Sequence, residues 1–120
     1  MIRYFNKNFK AALDGFRETI VSEKSFKTML VIGALVVAVM LYFPTSRLEK
    51  VVLLLSVFSV LILELINSAV ERIMDVVTTE RDERIRVVKD LMAAIVLLAS
   101  FGSAVVGILI FYPYFLELFK

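Results

Sequence analysis

The sequence predicts an all-α membrane protein: an N-terminal amphipathic surface helix followed by three transmembrane helices. Three observations carry this. Residues 28–46 and 91–116 hold no charged side chain, and residues 51–63 form a third uncharged run. Of the 120 residues 60% are hydrophobic, against about 45–50% in a soluble domain. The 14 basic residues are placed unevenly along the chain. One membrane domain over 1–120 follows, with a surface helix at 1–27 and spans at 28–46, 51–77 and 91–116.

In the first segment Phe5, Phe9, Ala12, Leu13, Phe16 and Ile20 recur at i, i+4, i+7 and i+8. At about 100° per residue they share one arc of a helix. Lys7, Lys10, Asp14, Arg17 and Glu18 take the other side. Aromatic and basic faces set opposite each other suit a membrane surface. The apolar residues are dispersed, so this is no secretory signal.

Span one runs through Met29–Phe43 and is predicted to stop at Pro44-Thr45-Ser46, because a proline restricts the residue before it to extended backbone. Span two is clean from Val51 to Leu63, then continues with helical spacing through Glu64, Asn67, Ser68, Glu71 and Asp75 to Val77. Span three, Leu91–Leu116, is long enough to cross with some tilt. Ser56, Ser59, Ser100, Gly102 and Ser103 are small residues of the kind that let helices approach. The Phe111-Tyr112-Pro113-Tyr114-Phe115 stretch reads as an interfacial aromatic belt and stop signal.

Lysine and arginine orient the spans. Eleven fall before span one or around the loop between spans two and three; three lie elsewhere, at Arg47, Lys50 and Lys120. The positive-inside rule makes the richer side cytoplasmic. The N-terminal helix and the 78–90 loop are then expected to face cytosolic solutes. The formal net charge is only +2, and no nucleic-acid partner is expected.

Composition also limits chemistry. With no Cys and no His, there is no disulfide, zinc finger, thiol nucleophile or histidine acid–base group. The four glycines at 15, 33, 102 and 107 form no phosphate-binding loop.

The chemistry-bearing segment is Glu64-Leu-Ile-Asn-Ser-Ala-Val-Glu-Arg-Ile-Met-Asp75. With Glu64 at 0°, Asn67 falls at about 300°, Ser68 at about 40°, Glu71 at about 340° and Asp75 at about 20°. One face at the cytoplasmic end of span two is therefore polar and acidic. An acidic residue costs about 2.5–3.5 kcal/mol at a helix centre and less near the interface, so residues so placed point to a site. The plain alternative is that Glu71 and Asp75 stand in water and pair with Arg72 or loop cations. Carboxylates are hard ligands for Mg²⁺, which shares itself with substrate phosphates, and a carboxylate can also accept a hydroxyl proton. With an orienting Asn67, and Lys89 to steady a phosphate, this is equipment for phosphoryl transfer to an alcohol.

Several elements together resemble the small prokaryotic integral-membrane lipid kinases, diacylglycerol kinase and undecaprenol kinase. They are Phe9-Lys10-x-Ala12-x-x-Gly15, Glu23-x-x-Phe26-Lys27, Glu64-x-x-Asn67-Ser68-Ala69-Val70-Glu71 followed by Asp75, and Lys89-Asp90. The resemblance covers nearly the whole chain. It implies a homotrimer in the bacterial cytoplasmic membrane, with composite sites between subunits, transferring the ATP γ-phosphate to a lipid hydroxyl.

By residue, the resemblance implies Glu64 as general base with Asn67 orienting nearby. Glu23 and Glu71 would be ligands of the nucleotide's Mg²⁺, and Lys89 and Asp90 nucleotide contacts. Gly15 would let backbone approach the nucleotide, Glu80 would be a loop acid touching it, and Phe26 and Lys27 would lie at the lipid substrate. The loop before span three lacks the His that many members carry. Asn67-Ser68 and the missing His-Pro pair favour diacylglycerol over undecaprenol as acceptor. Two rivals lie outside this family: a small proton-coupled transporter, and a non-enzymatic subunit docking a basic helix on the acidic face.

Overall fold

The computed structural model describes residues 1–77, 80 and 82–120; Thr78, Thr79 and Arg81 of the loop lie outside the described residues. It comprises α1 (Ile2–Ser22), α2 (Lys24–Tyr42), α3 (Arg47–Val77) and α4 (Glu83–Leu118). Among the described residues there is no strand.

The surface helix is shorter than the sequence suggests. It stops at Ser22, and Glu23 adopts extended backbone (φ −111°, ψ 107°) before α2 begins at Lys24. The Glu23 N–H still donates to Thr19 O at 2.9 Å. No glycine or proline marks the break, so hydropathy alone carries the helix on to Lys27. The joint is held by Phe26, which is fully buried and packs its ring against Phe16 with centroids 6.1 Å apart. Along the rest of α1, Phe5, Phe9 and Leu13 remain exposed, with Phe5 and Phe9 stacked one turn apart.

The three long helices each have the length and apolarity to cross a membrane. At 1.5 Å per residue, the 31 residues of α3 extend about 46 Å and the 36 of α4 about 54 Å, beyond a hydrocarbon core of about 30 Å. Both helices therefore project polar ends past the lipid.

The turn between α2 and α3 is densely hydrogen-bonded. Ser46 N–H donates to Glu49 Oε1 at 2.9 Å, and Glu49 N–H donates to Ser46 Oγ at 3.1 Å. This reciprocal capping box satisfies two otherwise orphaned N–H groups and starts α3. Thr45 Oγ1 donates to Met40 O at 2.9 Å and Lys50 Nζ to Thr45 O at 2.6 Å.

Pro113 does not stop the third span: it lies inside α4, which runs on to Leu118. The proline removes one backbone donor, but packing holds the following turn in place. Tyr114 and Phe115 set their rings on Phe43, with centroids 5.5 and 5.1 Å away, and the Tyr114 hydroxyl donates to Glu49.

Helix approach follows small residues. At Gly33 an added Cβ would sit 3.0 Å from Val57 Cγ1, so the glycine sets the α2–α3 spacing. Ser56 and Ser103 hydrogen-bond across α3 and α4 at 2.5 Å. Ser59 bonds back to Leu55 O on its own helix, and Gly102 faces open space. The molecule is flat, 58 × 43 × 22 Å, and no residue of α4 is buried.

Candidate active site

The acidic arc of α3 sits where the start of α2 and the end of α1 meet it. Glu64 and Ser68, one turn apart, are each only 5% exposed, which makes them the buried centre of the arc. Asn67 and Glu71 flank them half-buried, and Asp75 is exposed at the outer end.

Glu64 is held from the neighbouring helix. Ser25 Oγ, in the first turn of α2, donates to Glu64 Oε1 at 2.5 Å. Among the described residues no other side chain donates to this carboxylate. One oxygen is tied by Ser25; the other has no hydrogen-bond partner among the described residues.

Arg72, beside Glu71, does not pair with Glu71 or Asp75 as the plain alternative has it. Its guanidinium reaches to α1. Nη1 lies 3.0 Å from Glu18 Oε1, Nη2 donates to Ser22 Oγ at 3.0 Å, and Nη2 lies 3.8 Å from Glu23 Oε1. A planar fork suits such divided contacts. Glu23 is thereby drawn to the same end of α3 as Glu71.

Asp75 does follow the plain alternative: it is exposed and pairs with a cation of the 78–90 loop, Lys89, whose Nζ is 3.2 Å from Oδ1. This contact ties the start of α4 to the polar end of α3. Asp90 pairs with Arg86 on its own helix at 2.7 Å. Gly15 lies on an open side of α1, where an added Cβ would meet nothing within 4 Å. Glu80 and Lys27 are exposed, and Phe26 is the packed joint described above. The direct contacts thus fall into three separate sets, Ser25–Glu64, Arg72 with Glu18, Ser22 and Glu23, and Lys89–Asp75. Among the described residues no hydrogen bond or ion pair joins Asn67, Glu71, Gly15 or Asp90 to them.

Asp82 caps α4, accepting from Arg84 N–H at 2.8 Å. The Arg84 side chain, and then its backbone N–H, hold the Asp82 carboxyl below its ordinary pKa.

The donor set allows a choice among metals. Among the described residues no three Asp, Glu, His or Cys side chains cluster as a ready-made cage, and the available donors are oxygens. That suits Mg²⁺, which binds through one or two carboxylates and completes its shell with phosphates and water.

Ser25 is a site residue that sequence reasoning misses. Its signal there is slight, a hydroxyl at the polar start of span one, and nothing local says that it meets a residue 39 positions away.

Fold and site define an all-α integral membrane protein with a half-shielded carboxylate centre at one mouth of its spans. The family described as prokaryotic diacylglycerol kinase matches residues 10–111. The chain belongs to that family, and it is an ATP-dependent lipid kinase. It is 31% identical over 104 residues to a diacylglycerol kinase of Haemophilus influenzae, covering 85% of this chain and 88% of the relative. It is 28% identical over 109 residues to an undecaprenol kinase of Bacillus subtilis, covering 91% and 89%. It is also 28% identical over 114 residues to a diacylglycerol kinase of Escherichia coli, covering 92% and 93%.

Proposed function

We propose that this chain transfers the γ-phosphate of MgATP to the hydroxyl of diacylglycerol, giving phosphatidic acid, at the cytoplasmic face of the bacterial inner membrane. The observation that carries the mechanism is Glu64: buried, tied at Oε1 by Ser25, and without a hydrogen-bond partner at Oε2 among the described residues. Oε2 accepts the lipid hydroxyl proton as the oxygen attacks the γ-phosphorus and the bond to the ADP oxygen breaks. Asn67 orients the reacting groups. Such transfer rests mostly on positioning and charge neutralisation.

Glu23 and Glu71 are the residues that would hold Mg²⁺, and the ion would neutralise phosphate charge. Lys89 supplies a further positive charge, leaving Asp75 to do so. Gly15, Glu80 and Asp90 line the nucleotide side in this reading, and Phe26 and Lys27 the lipid side.

An open apolar groove of about 740 Å³ between α2, α3 and α4 supports a lipid acceptor. It begins at Met29, one turn beyond Ser25, and continues past Gly33, Val60 and Ser103 to Phe111. An acyl chain lying there would bring its polar end toward Glu64. Asn67-Ser68 and the name of the Haemophilus influenzae relative favour diacylglycerol. Purified protein in mixed micelles, given γ-labelled ATP, should label diacylglycerol in preference to undecaprenol. Preferential labelling of undecaprenol would reassign the acceptor, and labelling of neither would overturn the reading.

A further inference from the structure

We infer that Ser25 is a positioning residue for the general base, and that it does its work through Oε1 of Glu64. The inference rests on the proposed role of Glu64.

A carboxylate on a helix has rotatable bonds before its oxygens. A base must hold its lone pair within hydrogen-bond reach of the proton it takes. Burial leaves Glu64 with little water to orient it, and Ser25 is its one side-chain donor among the described residues. The donor comes from a different helix, in the first turn after the Glu23 break, so the bond also records how α2 is seated on α3. With Oε1 engaged, Oε2 is the oxygen left without a hydrogen-bond partner among the described residues. Phe26, the next residue, is fully buried and anchors the turn that carries the hydroxyl. Ser25 itself is exposed, but the turn that carries it is anchored by Phe26, the kind of support a positioning group needs.

The bond has a direction: Ser25 donates and Glu64 accepts at Oε1. A hydrogen bond to a charged group is worth about ten- to a hundredfold in an equilibrium, and misplacing a reacting group by about 1 Å can cost a hundredfold in rate.

The test is Ser25→Ala beside Ser25→Thr, in micelles, with nucleotide binding followed separately from turnover. Ser25→Ala should lower kcat about ten- to a hundredfold while the KM for MgATP and the binding of a non-hydrolysable ATP analogue stay within about twofold. Ser25→Thr, which keeps the hydroxyl, should recover most of the lost kcat. The thermal midpoint of each variant shows whether it is folded. Wild-type kcat in folded Ser25→Ala would overturn the inference while leaving the kinase reading intact. So would a loss of kcat that Ser25→Thr does not recover although it folds, or a parallel loss of nucleotide binding. A wild-type protein that labels no lipid would instead overturn the kinase reading itself.

Discussion

At the scale of single residues, the site is a matter of which charges are already engaged. Glu64 has its serine, Glu23 its arginine and Asp75 its lysine. The proposed division of labour gives the two glutamates of α3 different phenotypes. Glu71→Gln should raise the KM for MgATP and weaken binding of an ATP analogue, since it removes a ligand on the nucleotide side. Equilibrium binding with and without Mg²⁺ checks this.

Packing makes its own single-residue prediction at Gly33. A methyl group there meets Val57 Cγ1 at 3.0 Å, and overpacking of this kind costs about 1–3 kcal/mol. Gly33→Ala should lower the thermal midpoint in detergent, and Val57→Ala in the same chain should restore it. An unchanged midpoint would mean that Val57 yields far enough for the helix propensity gained with Ala, about 1 kcal/mol, to offset the contact.

At the scale of elements, two clasps hold the helices around the site: Arg72 between α3 and α1, and Lys89–Asp75 between α4 and α3. Arg72 and Glu18 are exposed to 44% and 67%, and an exposed pair contributes only about 0.2–1 kcal/mol. Arg72→Gln should therefore loosen α1 rather than unfold the chain. The absence of cysteine makes this easy to follow. Spin labels placed at Val21 and Val76, both well exposed, should show a broader distance distribution in Arg72→Gln than in the parent.

The start of α4 carries a pH dependence. Asp82 has a depressed pKa in the folded chain. Its contribution is present above the ordinary aspartate value of about 3.9 and is lost as pH falls through the lower native value. The protection factor of the Arg84 amide should fall over that range. In Asp82→Asn, which keeps a capping oxygen, it should not.

Elements also show where sequence reading succeeds and fails. The three spans are legible because lipid demands long uncharged runs. The Glu64–Asn67–Ser68 face is legible because 3.6-residue periodicity places those side chains together. Ser25 and Arg72 are not, because their contacts depend on how one helix is rotated against another, across 39 residues for Ser25–Glu64 and 54 for Arg72–Glu18. The break at Glu23 and the continuation through Pro113 go unseen for a related reason. Each is decided by packing, of Phe26 on Phe16 and of Tyr114 and Phe115 on Phe43, rather than by local propensity.

At the scale of the whole molecule, a layer only 22 Å thick cannot bury the apolar surface of its own helices. Lipid or further copies of the chain must cover it, and the unburied α4 has most to cover. The homotrimer that the family resemblance implies would meet that need.

The most direct measurement of the central claim is Glu64→Gln, assayed for phosphate transfer to lipid and for MgATP binding in the same preparation. Removing a general base costs about a hundred- to ten-thousandfold in rate. Transfer should fall by that order while nucleotide affinity stays within about twofold. Retained transfer, or nucleotide affinity lost in proportion to rate, would contradict Glu64 as the base that takes the lipid hydroxyl's proton.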